Sequence, residues 1–268
     1  MKKNTIFISL ICIISFLLIG CAPKEDPSVI LNSYYENIKN NNYEGAYNDL
    51  ATESKENFSK DDFVKWMEYY METYELKDTV VEKTKDCKNI ELDGTTYKKA
   101  TEFNVKENMH DNCNNKDKSK EFTKYVVEEN GNLKVYKENT DIKKDIVENM
   151  TDLAGMYYDG LGKNKDVNKA ATILTEAISI SQDVPGSYYL LGTSLAQLNR
   201  YDESIENINI YLSKCDDKIF QSDAYNVLGV DYEAKVDFNK AIEYYNKAIE
   251  LNVNNQYAKT NLQRVSSY

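Results

Sequence analysis

The chain has 268 residues, of which 41% are hydrophobic and 29% charged, so it can bury a core and is long enough for two domains. Its formal net charge of −11 repels phosphate backbones, which argues against a nucleic-acid partner and favours a basic one. The 22 tyrosines against one tryptophan suit a helical array, where tyrosine fills the grooves between helices and keeps its hydroxyl in water.

Residues 1–20 have the pattern of a secretory signal. Lys2 and Lys3 make a basic start, residues 5–19 are almost wholly apolar, and polar sequence follows directly after them. This run of about 15 apolar residues is shorter than the roughly 20 that a membrane-spanning helix needs. The pattern therefore predicts a segment that directs export and is not itself a transmembrane helix.

The end of that run, Leu18-Ile19-Gly20-Cys21, resembles a bacterial lipobox. In lipobox proteins the cysteine sulfur receives a diacylglycerol and the signal is cleaved in front of it. The resemblance implies that Cys21 becomes the first residue and the membrane anchor, with residues 21–27 as a lipidated tether. More than one acyl chain makes such anchoring stable. The alternative is an ordinary signal with an incidental cysteine.

Apolar residues at helical spacing predict three helices over residues 28–74. The first ends at the asparagines 40–42, the second is short and covers 43–50, and Ser59 is placed to cap the third. The apolar stripe of the third helix consists of Phe63, Trp66, Met67 and Tyr70.

After Leu76 the apolar residues no longer recur at helical spacing but alternate with polar ones. The predicted strands are residues 79–83, 97–105, 122–127 and 133–136. Asp93-Gly94 and Asn130-Gly131 are hairpin turn signals, and a polar loop is predicted over 107–119. Helices followed by a meander of strands predict an α+β domain with an antiparallel sheet curled over the helices.

This order of elements resembles the NTF2-like superfamily, in which a curved sheet wraps around helices as a cone. The stretch at 42–47, followed by 59–63, is similar to the opening helices of these domains, which occur as N-terminal modules of Gram-positive surface lipoproteins. The resemblance implies an NTF2-like α+β domain over residues 28–139. A degenerate helical repeat over 30–50 is the alternative, and the strand-rich half that follows argues against it.

The same resemblance implies that the cone can enclose a small-ligand pocket, which is catalytic in some relatives. Four aromatic residues are candidates for its wall, although aromatic stripes usually form a core, and the core is the interpretation that we favour. These residues are Trp66, Tyr70, Phe103 and Tyr125.

The helical period returns at residue 141 and continues to the end of the chain. The predicted two-helix units are residues 142–180, 185–218 and 222–255, followed by a polar capping helix over 256–266. The equivalent residues Ala154, Gly192 and Gly229 lie 38 and 37 positions apart. Because three units are about the minimum for a stable stack, the sequence predicts an all-α repeat array over 141–268.

The third unit resembles a tetratricopeptide repeat. Its small and aromatic residues recur at helical spacing in two segments, which a short turn joins into an antiparallel pair of helices. Gly229 and Ala241 are small where the two backbones approach closely. The positions that match the family pattern are Tyr225, Leu228, Gly229, Tyr232, Ala241, Tyr245 and Ala248. Val253 stands where the family usually has proline, which predicts a looser end to the second helix.

The first unit resembles a Sel1-like repeat, a related unit with a longer turn between its helices. The matching positions are Leu153, Tyr157, Gly160, Gly162, Asp166, Lys169, Ala170 and Ala177. Gly160 and Gly162 are expected to take left-handed backbone angles in that turn. The faces of the second unit are Tyr188, Leu191, Gly192 and Leu195, then Ser204, Ile208 and Tyr211.

Motifs for catalysis or cofactor binding are absent from the sequence, which has no phosphate loop, nucleophile elbow or catalytic-cysteine signature. His110 lies in the predicted polar loop near Asp111 and Cys113, and a solvated histidine is favoured over a metal site. Cys87 and Cys113 form a disulfide or remain separate thiols, and Cys215 lies between two units. We therefore predict no enzyme activity, no cofactor and no bound metal.

The first helix of each hairpin lines the concave face of such an array, so a partner is expected there. By repeat position, this face should show Glu148, Thr151, Tyr158, Asp159, Tyr189, Thr193, Gln197, Asn226, Val230 and Glu233. The set has acids and aromatics and no lysine or arginine. Family members that grip C-terminal carboxylates use lysines and asparagines there, so the resemblance implies a basic or polar partner and not an acidic tail.

Together these patterns predict a membrane-anchored, extracytoplasmic lipoprotein of a Gram-positive cell, whose helical array is a scaffold for protein–protein interaction. The alternative is a small-ligand-binding protein that uses a pocket in the NTF2-like domain. A self-assembling surface protein is the third hypothesis.

Overall fold

The computed structural model of the protein describes residues 25–267. The predicted signal over 1–20, the lipidation site Cys21 and the first part of the tether lie outside these residues. The tether ends at Asp26, whose carboxylate accepts the amide of Ser28 at 2.9 Å and caps the first helix. Within the described residues, no helix combines the length and the apolar character needed to cross a bilayer.

The N-terminal part has three α-helices followed by four strands. The helices are α1 (Pro27–Lys39), α2 (Tyr43–Asp49) and α3 (Lys60–Thr73), with a short 3-10 helix at Glu53–Lys55. The strands are β1 (Tyr74–Leu92), β2 (Thr95–Asp111), β3 (Lys116–Glu129) and β4 (Asn132–Tyr136). The strands pair antiparallel in the order β1-β2-β3-β4, and the sheet packs against α1 and α3. The prediction of an α+β domain is confirmed.

The prediction of a polar loop over residues 107–119 is wrong. Strands β2 and β3 extend through this region and are joined by a tight turn at 112–115. The polar residues extend the two strands because their side chains form cross-strand pairs, such as the ion pair between Lys106 and Glu121 at 3.5 Å. For the same reason β1 is far longer than the predicted strand at 79–83, since its polar residues pair with β2 along its length, with register shifts at 76–78 and 83–85.

One side of the sheet forms the main core with α1 and α3. Phe103 and Val105 of β2 lie on this side and are fully buried, as is Phe63 of α3. Helix α3 begins with a capping box, in which the Ser59 hydroxyl accepts the amide of Asp62 at 3.1 Å and the Asp62 carboxylate accepts the amide of Ser59 at 3.0 Å. The helix that carries the predicted aromatic stripe therefore starts at the predicted residue.

The C-terminal part is an all-α array, as predicted. Its helices are α4 (Ile142–Asp159), α5 (Val167–Ile180), α6 (Pro185–Gln197), α7 (Tyr201–Lys214), α8 (Lys218–Ala234), α9 (Phe238–Leu251) and α10 (Gln256–Val265). The first six pack as three hairpins, and α10 packs on α8 and α9. Glycine is required inside the hairpins, because a Cβ on Gly229 would overlap the ring of Tyr245 and one on Gly192 would overlap Ile208.

The two parts of the chain share one core, because α3 packs against α4. Lys65 of α3 reaches Glu176 of α5 at 2.6 Å. The turn between α4 and α5 also contacts the sheet, since a Cβ on Gly162 would overlap the carbonyl of Asn112 at the tip of the β2–β3 hairpin. Gly160 and Gly162 have φ values of 78° and 68°, which confirms the expected left-handed angles.

Candidate functional site

The first helices of the hairpins form one layer of the array. Helix α4 packs against α6, α6 against α8 and α8 against α10, whereas α5, α7 and α9 each contact the two first helices beside them. Direct packing of the first helices places them on the inside of the curve of such an array. We call the surface they present the inner face, which is defined by the predicted positions from Glu148 to Glu233.

Tyr158, Tyr189 and Asp223 lie near one another on the inner face. The half-buried ring of Tyr189 packs against that of Tyr211, with 5.1 Å between their centroids. Burial raises the pKa of the Tyr189 hydroxyl to about 12, and Asp223 and Tyr158 add to the rise. Packing fixes the tyrosine ring in place beside a carboxylate. Such a pair can bind a side chain that has an apolar part for the ring and an N–H donor for the carboxylate.

Asp223 is an inner-face acid that the sequence prediction missed. It follows Glu148 by the same interval that separates equivalent residues of the first and third units. Burial raises the pKa of the Asp223 carboxyl, which accepts Nδ2 of Asn255 at 3.1 Å. The repeat spacing, applied to Glu148, would therefore have predicted Asp223 as an inner-face residue.

Glu233, which is predicted to contact a partner, is 16% exposed and is engaged by other residues of this chain. Its carboxylate accepts Nε and Nη2 of Arg264 at 3.0 and 2.8 Å, and it also accepts the Tyr245 hydroxyl at 2.7 Å. The predicted positions include no arginine, but α10 adds one beside them. Helix α10 occupies the place of the first helix of a further unit, and it brings Arg264 against the predicted residue.

Three other predicted residues make hydrogen bonds within the array. The hydroxyls of Thr151 on α4 and Ser187 on α6 lie 2.7 Å apart. The Thr193 hydroxyl donates to a backbone carbonyl one turn earlier at 3.0 Å. Asn226 accepts Nδ2 of Asn261 of α10 at 2.9 Å. Thr151 and Asn226 thus join neighbouring first helices.

The predicted residues that remain exposed on the inner face are acidic, polar or apolar. Asp159 and Gln197 are exposed, and Val230 is 36% exposed. Glu148 is exposed as well, with Nζ of Lys144 at 3.8 Å in a long and weak ion pair. The inner face therefore presents negative charge beside half-buried tyrosines.

A cavity of about 410 Å³ lies between the sheet and helices α1 and α3. Trp66 and Tyr70 line it, as the predicted pocket required. Phe103 is instead buried in the core. Tyr125 faces the other side of the sheet, because side chains alternate along β3, and its hydroxyl donates to Glu102 at 3.0 Å. Half of the predicted pocket residues therefore lie at the cavity.

Cys87 and Cys113 are free thiols far apart on the β1–β2 ladder. Cys87 pairs with Ala100, whereas Cys113 follows the end of β2, roughly 35 Å further along the strand. A disulfide needs Cα atoms within about 7 Å, so separate thiols are the alternative that the structure supports. His110 lies on β2 and not in a loop, with Nδ1 2.7 Å from Asp117. Residues 25–267 hold no cluster of three metal-ligating side chains.

Two stretches of the array match family models of the tetratricopeptide repeat, at residues 185–209 and 222–255. No curated protein sequence matches the chain. Among solved structures, the TPR domain of Arabidopsis OM64 is 22% identical, with a TM-score of 0.43 over 47% of this chain and 98% of that one. The first TPR domain of human RPAP3 is 16% identical, with a TM-score of 0.40 over 45% of this chain and 90% of that one. Residues 185–209 and 222–255 are tetratricopeptide repeats.

Proposed function

We propose that this protein is a non-enzymatic lipoprotein, anchored at the extracytoplasmic side of the cell membrane through Cys21, whose helical array binds a peptide or protein. The observation that carries the proposal is the inner face, where Tyr158 and Tyr189 lie half-buried beside Asp223. Stacked repeats use such a surface to bind extended segments, and aromatic residues held by packing are effective binding anchors.

The charge of the inner face selects for a basic or polar partner. Asp159, Glu148 and Asp223 contribute negative charge, while Arg264 is neutralised by Glu233. An acidic peptide would meet like charge at each of these acids, and like charges across an interface are unfavourable. A segment with lysine or arginine between apolar residues complements both the acids and the tyrosines.

A library of random peptides, selected on the purified protein, tests this partner chemistry. We expect the selected sequences to be enriched in lysine and arginine, and their affinity to fall with added salt. The acidic peptide SRMEEVD, an HSP90 peptide bound by the first TPR of Spaghetti (RPAP3), is the counter-probe and should not bind measurably.

Charge reversal on the inner face makes that test specific. Glu148→Lys with Asp159→Lys should weaken the selected basic peptides about tenfold or more. The matched control is Glu243→Lys with Glu250→Lys, two exposed glutamates of α9 in the outer layer. Selection of acidic peptides by the wild type, or equal effects of the two double variants, would contradict the proposed partner chemistry.

The lipid anchor is tested separately by Cys21→Ser. Without the sulfur that accepts the diacylglycerol, the protein should leave the membrane fraction for the soluble or secreted fraction. Cys215→Ser, which changes a thiol in the array, should leave the distribution unchanged. If the Cys21 variant stays with the membrane as the wild type does, lipidation is not the anchor.

A further inference from the structure

The cavity between the sheet and helices α1 and α3 is not used by the proposed function. Its volume of about 410 Å³ is in the range of small-molecule sites, and exposed Lys120 and Glu138 mark its mouth. Its aromatic wall is made by Tyr34, Tyr35, Trp66, Tyr70 and Phe122. The rings of Trp66 and Tyr70 stack with centroids 6.2 Å apart and give the cavity a flat apolar side.

One wall of the cavity holds a buried hydroxyl beside a carboxylate. Tyr35 is 3% exposed, and its hydroxyl lies near the Glu107 carboxylate without forming a well-aligned hydrogen bond to any residue that the structure describes. Because native proteins pair nearly all buried polar groups, this hydroxyl points to a ligand atom as its partner. A hydroxyl can serve either as donor or as acceptor to such an atom.

Two opposite charges face the same cavity from neighbouring strands. Glu107 of β2 and Lys124 of β3 both line it. Burial raises the pKa of the Glu107 carboxyl and lowers that of the Lys124 ammonium, so each charge has lost part of its hydration. Among residues 25–267, no opposite charge lies within 4.0 Å of either group. A ligand group of opposite charge beside the Glu107 carboxylate, and another beside the Lys124 ammonium, would compensate for the hydration that each has lost.

We propose that this cavity binds a small zwitterion with an apolar body, the chemistry of a free aromatic or aliphatic amino acid. The ammonium of the ligand lies against Glu107 and the oxygen of Tyr35, where the faces of the surrounding rings also attract a cation. Its carboxylate turns towards Lys124, and its side chain lies on the wall of Trp66 and Tyr70. A ligand with one charge would satisfy only one end of the cavity, because the charges of this chain that attract Glu107 and Lys124, such as Lys120 and Glu138, lie beyond ion-pair distance.

Trp66 gives a direct readout of binding, because it is the one tryptophan of the chain and it lines the cavity. The purified full-length protein is titrated with L-phenylalanine while tryptophan fluorescence is followed. Phenylpropionate, which lacks the ammonium, and phenylethylamine, which lacks the carboxylate, are the matched probes. We expect a saturable change with L-phenylalanine and at least about tenfold weaker binding of both analogues.

Charge-removing variants assign the two ends of the ligand. Glu107→Gln and Lys124→Gln should each weaken L-phenylalanine about tenfold. The matched controls are Glu121→Gln and Lys106→Gln, which remove a glutamate and a lysine that pair with each other at 3.5 Å on the opposite side of the same sheet. These controls should leave the affinity unchanged.

Tyr35→Phe separates a ligand site from a cavity that is only part of the core. Removal of the unpaired hydroxyl should raise the thermal midpoint of the ligand-free protein and weaken L-phenylalanine. The proposal is overturned if no probe alters the fluorescence of the folded protein, or if either analogue binds as tightly as L-phenylalanine. It is overturned as well if the charge variants and their controls bind alike. None of these results bears on the inner face, which Tyr189→Phe would probe.

Discussion

Replacing the buried Asp231 with asparagine is expected to remove a pH-dependent loss of stability. Asp231 of α8 is 0% exposed; the Ser204 hydroxyl donates to its Oδ2 at 2.6 Å, and its Oδ1 has no partner among the described residues. Burial raises the pKa of this carboxyl from 3.8 to about 7, against the opposing effects of Ser204 and Lys235. The Lys235 ammonium is itself paired with Asp202 and gives limited compensation.

The sign and size of the effect follow from the raised pKa. Between about pH 4 and pH 7 the unfolded chain releases the proton of this carboxyl while the folded chain retains it, so the free energy of unfolding falls as pH rises. A rise of about three units at about 1.4 kcal/mol each sets an upper value of about 4 kcal/mol. Asparagine does not ionise. Asp231→Asn should therefore be more stable than the wild type by about 1–4 kcal/mol at about pH 8, with little difference near pH 4.

Urea unfolding, followed by circular dichroism at several pH values, measures this difference directly. Because other titrating groups are common to both proteins, their contributions cancel in the comparison. Asp202→Asn is the control, since the Asp202 side chain is 84% exposed and its replacement should not produce the same pH profile. The reasoning is refuted if Asp231→Asn is less stable than the wild type at about pH 8, or if the difference between them does not change with pH.

Two further substitutions test the packing of the array. Gly229→Ala places a Cβ against the ring of Tyr245 and should lower the free energy of unfolding by about 1–3 kcal/mol; an unchanged urea midpoint would show that the hairpin has more room than the structure indicates. Arg264→Ala removes the ion pair with Glu233 that holds α10 against α8. Amide hydrogen exchange in α10 should therefore accelerate, and the free energy of unfolding should fall by about 1 kcal/mol. The control Arg200→Ala breaks an exposed ion pair within α7 and its N-cap and should leave the amides of α10 protected. Equal protection of α10 in both arginine variants would contradict its assigned role.

The helical array was predictable because its residues meet local steric demands. Gly229 and Gly192 are small where a second helix crosses them, and Gly160 and Gly162 take left-handed angles in a turn. Such requirements recur at a fixed interval, so the units could be located from the sequence. Asp223 shows that the same interval also predicts inner-face residues when it is applied to every position.

The strand ends and the packing of α10 were less predictable, because they depend on partners that are remote in sequence. The polar residues at 107–119 carry no apolar alternation, yet β2 and β3 pair through them. Glu233 has the character of an exposed acid until Arg264 of α10 is placed beside it. In both cases a polar residue is ordered by a cross-strand or cross-helix contact, and periodicity alone does not report such contacts.

The central claim, that the inner face is the working surface, is tested most directly by photo-crosslinking on living cells. A photoreactive amino acid replaces Tyr189, and in the matched control it replaces the exposed Glu243 of the outer layer. Adducts are identified by mass spectrometry. We predict one dominant adduct at position 189 that is absent at 243 and is lost when Glu148→Lys and Asp159→Lys are added. Identical adducts at the two positions, or no adduct at 189 with the protein present at the membrane, would contradict the account.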